Sequence, residues 1–203
     1  MTLWRGSNPL ILASQSRTRQ TLLANAGLSF EAMVAEIDER GIAQTSKLSA
    51  PGEIALLLAR EKALWVSVRR GGHYVVGADQ TLALGHRLFN KPKNRGQALQ
   101  QLRALAGHRH ELHSAVAVAQ DGKIVFAHVA VAGMTMRRLS DTEIAAYVNE
   151  AGEAAVTSSV GAYQLEGLGV HLFEYIEGDH FTILGLPLLQ LLDFLRSQRL
   201  LAV

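Results

Sequence analysis

Ser14, Ser16 and Arg19 place two hydroxyls and a guanidinium where a short apolar run, Pro9 to Ala13, gives way to a helical stretch. Backbone N–H groups left free at a helix start carry partial positive charge, and beside a guanidinium they suit a phosphate. The same residues also read as an ordinary N-cap, Ser16, next to a surface arginine. Further along, Gly77-Ala78-Asp79-Gln80 sets a carboxylate directly after an apolar strand expected over Tyr74 to Ala78. Open α/β sheets gather ligand-binding groups at the carboxyl ends of their strands. Asp79 could there bind a metal ion or take a proton from water, or simply form the turn. On the helix before it, Leu58, Lys62 and Trp65 share a face by i, i+4, i+7 spacing. Lys62 therefore interrupts an apolar stripe, and it either snorkels or points into a cleft.

Other residues offer weaker chemistry. Lys91 stands before Pro92, which drives it out of the helical region and into an extended or turn conformation. Asp38-Glu39 follows the apolar-rich stretch Phe30 to Ile37 and reads either as a second carboxylate for a hard cation or as a solvated loop. The glycine-dense segment Gly161 to Gly169 encloses Gln164 and Glu166. Its glycines permit a ligand to approach the backbone, and they equally permit a bulge. The segment lacks the third glycine of a dinucleotide fingerprint, and no Walker A sequence occurs. His110 and His113 are three residues apart, not the four of a metalloprotease helix, and read as partly exposed histidines at a strand edge.

These residues need elements to position them. The run Pro9 to Ala13 followed by Leu22, Leu23 and Ala26 on one helical face, closed by Gly27, predicts strand, turn, helix. A helix is expected over Ala50 to Arg70, capped by Ser49, with Pro51 in its first turn and Gly71-Gly72 after its end. Asn94 and the Ser140-Asp-Thr-Glu143 capping box open two more helices, to Ala106 and Glu150. Asp121-Gly122 between Ser114–Ala119 and Lys123–Val131 predicts a two-residue hairpin. An amphipathic helix over Leu188 to Leu200 follows Pro187. Alternating strands and helices with one antiparallel hairpin make the class α/β with a mixed sheet.

Composition removes several functions. A net charge of +2 is too small for an electrostatic footprint on nucleic acid, and aromatics at 6% leave no stacking platform, so no stable nucleic-acid binding is expected. Without cysteine there is no disulfide framework and no thiolate zinc site. No stretch approaches the roughly 18 apolar residues of a membrane span, and a cytoplasmic location without membrane association is expected.

Taken in order, the segments LILASQSRTRQTLLANAG, AREKA, VVGADQTLALG, NKP and GAYQLEGLGVHLFEYIEGDHFTILGLPL resemble the Maf-like nucleoside triphosphate pyrophosphatases, once called septum formation inhibitors, over nearly the whole chain. The resemblance implies one domain over residues 1–203, with two lobes about a central nucleotide-binding cleft in a twisted mixed sheet flanked by helices, as in inosine-triphosphatase-like folds. It implies a nucleoside triphosphate cut between the α and β phosphates, with Mg²⁺ or Mn²⁺ as cofactor and a homodimer as an assembly the family allows. By matching motifs, Ser14, Ser16 and Arg19 would bind phosphate, Glu39 and Asp79 the metal, and Asp79, Lys62 and Lys91 would be catalytic, with Asp79 the proton acceptor. Arg17 and Thr18 stand where the family's S-x-S-P-R-R opening has proline and arginine. The positions reading the base would be Thr18, Gln80 and Glu166. Gln80 and Glu166 match the subgroup acting on 7-methyl-GTP, not the subgroup preferring dTTP and UTP, so a guanine-type substrate is expected. The competing expectation is a nucleotide-sensing regulator of cell division that does not turn its ligand over.

Overall fold

The computed structural model describes residues 3–203. In chain order the elements are β1 (Leu10–Ala13), α1 (Arg17–Asn25), β2 (Phe30–Ala32), α2 (Glu39–Thr45), α3 (Pro51–Ser67), β3 (Val75–Leu84), β4 (Arg87–Phe89), α4 (Arg95–Leu105), β5 (Arg109–Gln120), β6 (Lys123–Met136), α5 (Asp141–Ala151), α6 (Glu153–Ser158), β7 (Phe173–Glu177), α7 (His180–Ile183) and α8 (Leu188–Ser197). The strands form a seven-stranded sheet in the order β2-β1-β3-β5-β6-β7, with β4 paired to β3. It is mixed: β1 runs parallel to β2 and β3, whereas β3/β4 and β6/β7 are antiparallel.

Two compact units make up the chain. The first holds the described residues up to Gln80, His113–Ala130 and His180–Val203; the second holds Thr81–Leu112 and Val131–Asp179. In the first unit the sheet is covered on both faces, as parallel pairing requires. Along β1, Leu10 and Leu12 join Val76, Ala78, Val116 and Val118 against Leu22 and Leu23 of α1 and Leu188, Leu191 and Leu195 of α8. The alternate residues Ile11 and Ala13 join Val75 and Val66 of α3. Ala55, Ala59 and Ala63 of α3 lie against Ala115, Ala117 and Ala119 of β5. Small side chains on both partners bring this helix close to the sheet. At Gly77 the approach is so close that a Cβ would collide with the Ala59 carbonyl oxygen and stand 2.7 Å from the Ala63 nitrogen.

Local signals formed most of the elements they predict. Ser16 caps α1 with a side-chain oxygen accepting from Arg19 N at 3.4 Å, and Ser140 and Glu143 make both bonds of the capping box. Asp121 and Gly122 have φ of 48° and 73°, the double positive φ of a type I′ hairpin turn. Asp121 also accepts from Gly72 N at 2.7 Å, tying the turn to the segment after α3.

Three expectations are corrected. Ala50, not Ser49, is the N-cap of α3, because Pro51 takes the first helical position and holds its predecessor extended; Arg69 and Arg70 lie beyond the helix end. β3 does not stop at Ala78 but runs ten residues to Leu84, so Asp79 belongs to a strand and not to a turn. His110 is not at a sheet edge: β5 lies between β3 and β6, and His110 is buried, its Nε2 2.8 Å from Tyr163 Oη and its ring beside Tyr163 and Phe173 in the second unit.

Candidate active site

Strand alternation decides where the acidic residue of β3 points. Val75 and Gly77 face α3, so Asp79 faces it too, one pleat beyond the glycine that lets the helix descend onto the strand. On α3, Lys62 lies on the stripe of Ile54, Leu58 and Val66 and reaches the same place. Its Nζ is 2.7 Å from Asp79 Oδ1 and 2.9 Å from Glu39 Oε1. Lys62 is 9% exposed and Asp79 7%, so this is a buried ion pair extended by a second, half-exposed carboxylate. Lys62 thus points inward onto the two carboxylates.

Glu39 is available because its neighbour is occupied. Asp38 caps α2, its Oδ1 accepting from Gly41 N at 3.0 Å, and Glu39 is the first helical residue. The Asp-Glu pair thus divides its labour between a helix start and an ion pair. On the opposite side of the strand, Arg19 of α1 donates from Nε to Gly185 O (2.7 Å) and from Nη1 to Ala78 O (3.0 Å) and Ser14 Oγ (3.4 Å). Ser14 Oγ also accepts from Ser16 N at 3.2 Å. Arg19 therefore clamps α1, β3 and the loop after α7 together, and its Nη2 has no hydrogen-bond partner among the described residues. The predicted phosphate trio is one connected cluster.

The electrostatics follow from burial. Burial pushes the Asp79 carboxyl up, the Lys62 and Arg19 charges draw it down, Glu39 pushes it up again, and the net direction is upward. Burial lowers the Arg19 guanidinium pKa, while Asp79 and Glu39 oppose that shift.

Gln80, one residue past Asp79, faces the other way. Its Nε2 donates to Ser114 Oγ (2.9 Å), Ile183 O (3.0 Å) and Thr182 O (3.2 Å), and Ser114 Oγ donates its own proton to Thr182 O at 2.6 Å. An amide nitrogen has two protons, and both are engaged within the protein. Only the carbonyl oxygen of Gln80 remains to meet a ligand. Ser114, Gly77 and the 182–185 backbone were missed by the sequence reading. The signals were present in a polar residue within an apolar strand run and in two glycines, Gly77 within β3 and Gly185 at φ 89°.

Thr18 is half-buried in the first turn of α1. Lys91 and Glu166 belong to the second unit. Lys91 is exposed, outside any helix or strand, ahead of the buried Pro92. Glu166 is exposed on a turn that leads into a 3-10 helix at Leu168–Leu172. That turn depends on Gly169, whose Cβ would collide with the Gln164 carbonyl; Gln164 itself donates to Ser158 Oγ at 2.8 Å.

Glu39 Oε1 and Asp79 Oδ1, both within 2.9 Å of Lys62 Nζ, make a hard, oxygen-only donor pair of the kind Mg²⁺ and Mn²⁺ take. Among the described residues no group of three or more His, Cys, Asp or Glu could hold a metal ion. The remaining ligands would be water or substrate oxygens, the usual manner of holding Mg²⁺. Among the described residues no helix is long and apolar enough to cross a membrane.

Comparison with known proteins bears on this arrangement. The family model described as Maf-like protein matches residues 9–198. The chain is 70% identical over 203 residues, the full length of both, to a protein of Bradyrhizobium diazoefficiens named nucleoside triphosphate pyrophosphatase. It is 67% identical over 202 residues, again 100% of each chain, to a protein of the same name from Rhodopseudomonas palustris strain HaA2. A Rhizobium etli protein named 7-methyl-GTP pyrophosphatase is 53% identical over 190 residues, which is 93% of this chain and 95% of that one.

Proposed function

Because the chain belongs to the Maf-like family, we propose that it is a nucleoside triphosphate pyrophosphatase, hydrolysing its substrate to the nucleoside monophosphate and pyrophosphate. The observation carrying this reading is the buried Lys62 ammonium held between the carboxylates of Asp79 and Glu39. A stable fold has no need of that arrangement, since a buried ion pair is often no better than an apolar packing of the same volume. Phosphoryl-transfer sites do need it, because they combine a cation for phosphate oxygens with carboxylates for metal and water.

In this mechanism Asp79 takes a proton from a water whose oxygen attacks the α phosphorus. The bond from that phosphorus to the bridging oxygen breaks, and pyrophosphate leaves with the electron pair. The raised pKa of Asp79 makes it a stronger base than an ordinary carboxylate. A divalent cation held by Glu39 and Asp79 would offset charge on the phosphates when bound. Arg19 Nη2 and the N–H groups opening α1 face the anion, with Ser14 and Ser16 holding Arg19 in place. The roles of Lys91 on phosphate and of Thr18 and Glu166 on the base rest on the family resemblance alone.

For the substrate we favour a guanine-type or 7-methylated triphosphate. Glu166, when ionised, accepts hydrogen bonds and cannot donate, which suits the N1–H and amino group of guanine. The deciding experiment measures pyrophosphate release as kcat/KM over ordinary and modified triphosphates with Mg²⁺ and Mn²⁺. Preference for dTTP or UTP refutes the base assignment; absence of pyrophosphate release from every nucleotide refutes the enzyme.

A further inference from the structure

Lys62 does more than meet phosphate in this arrangement. Its ammonium stands between the two carboxylate oxygens that would hold a cation, 2.7 Å from one and 2.9 Å from the other. A Mg²⁺ bound to both oxygens at roughly 2.0–2.1 Å would need that same volume. The two cations cannot share it, because like charges so close in a buried site repel strongly. Formal charges near the site already cancel: Glu39 and Asp79 are balanced by Lys62 and Arg19, whose guanidinium is near enough to Asp79 to draw its pKa down.

We propose that Lys62 is an internal counter-ion that blocks the metal position until nucleotide arrives, so that metal and nucleotide bind cooperatively. The inference rests on the reading of Glu39 and Asp79 as metal ligands. A bare divalent cation must either displace a buried ammonium from both of its carboxylates or remain beside it. A triphosphate removes the conflict by giving Lys62 other oxygens to pair with, across the reach of its flexible four-carbon stem. It also contributes the oxygen ligands that two carboxylates leave missing. Coupling of this kind is reciprocal: the nucleotide tightens the metal by the same factor as the metal tightens the nucleotide.

The test is direct binding of Mn²⁺ to the full chain, followed by the electron paramagnetic resonance signal of free Mn²⁺, with and without a non-hydrolysable α,β-methylene triphosphate. Wild type, Lys62→Met and Asp79→Asn are compared. Without nucleotide, wild type should bind Mn²⁺ about 10-fold or more weakly than Lys62→Met, a coupling within the usual range for linked sites. The analogue should tighten Mn²⁺ binding by about 10-fold or more in wild type and by clearly less in Lys62→Met. Lys62→Gln, which keeps a donor toward Asp79, replaces the methionine variant if that one does not fold. Equal Mn²⁺ affinity of wild type and the neutral variant without nucleotide overturns the counter-ion role, as does an equal gain from the analogue in both. If Asp79→Asn binds Mn²⁺ as tightly as wild type with the analogue present, the metal reading itself fails and takes the counter-ion role with it.

Discussion

Asp79→Asn separates catalysis from stability, and the structure gives each a sign. The substitution keeps volume and leaves an oxygen that can still accept from Lys62 Nζ, now 2.7 Å from Asp79 Oδ1, while Lys62 retains Glu39 at 2.9 Å. What it removes is the negative charge and the proton-accepting capacity. A general base contributes roughly 10²–10⁴ in rate, so turnover should fall by about 3–5 kcal/mol of barrier. Stability should move the other way. The net shift of Asp79 is upward, with burial the largest cause, so the fold favours the neutral carboxyl. As pH rises past the ordinary carboxylate range the unfolded chain releases this proton before the native one does, and stability is lost until Asp79 itself ionises. By neutral pH that loss stands against the fold, and asparagine, which has no proton to release, does not incur it. Urea denaturation at pH 7 should show a midpoint for Asp79→Asn equal to or above wild type, beside the loss of pyrophosphate release. An unfolding free energy lowered by more than about 2 kcal/mol, with activity loss following the unfolded fraction, would make Asp79 merely the structural partner of Lys62.

Three further outcomes are expected. Burial pushes the His110 pKa down to about 4, so the native state resists a proton that the unfolded chain accepts near 6.5; stability should be complete above pH 6.5 and fall by about 3 kcal/mol towards pH 4, a loss that denaturation at several pH values should find and His110→Phe should lack. Gly77→Ala should cost about 1–3 kcal/mol in thermal melts and also lower kcat, because the added methyl pushes α3, and Lys62 with it, off the strand; unchanged kinetics in a destabilised variant would detach the helix from the site. Gln80→Thr should lower stability by about 1–3 kcal/mol before any change of base preference, since threonine cannot reach Thr182 O or Ile183 O; an unaltered melting temperature would show that the amide bonds carry no weight.

Much of the fold was legible because its signals are local. Ser16, Asn94 and Ser140 each cap the helix they precede, Gly27 and Gly107 follow helices at φ of 72° and 73°, and Asp121-Gly122 turns the one hairpin the sequence announces. These features need no knowledge of distant residues, because a backbone N–H is satisfied or a positive φ tolerated within a few positions. The short elements β2, β4, β7, α2 and α7, three to seven residues each, were not legible. Segments of that length carry too little periodicity to declare themselves and owe their form to the neighbour they pair or pack with.

The candidate site shows the same division. Residue type alone marked Ser14, Ser16, Arg19, Glu39, Lys62 and Asp79 as chemically able, and each kept an innocent alternative. Tertiary structure shows which of them meet. A carboxylate normally ends an apolar strand, which is why β3 was expected to stop at Ala78; it continues through Asp79 because a lysine from α3, 17 positions earlier in the sequence and outside any local window, supplies the opposite charge at 2.7 Å. That charge arrives only because Gly77 lets the helix lie on the strand. Likewise nothing near Gln80 in sequence tells that its two amide protons are claimed by Ser114, Thr182 and Ile183, residues more than thirty positions away. Composition and spacing determined which groups could do chemistry; close packing of α3 on β3 and the alternation of the strand determined which of them meet, since burial makes an unpartnered charge too costly to leave alone.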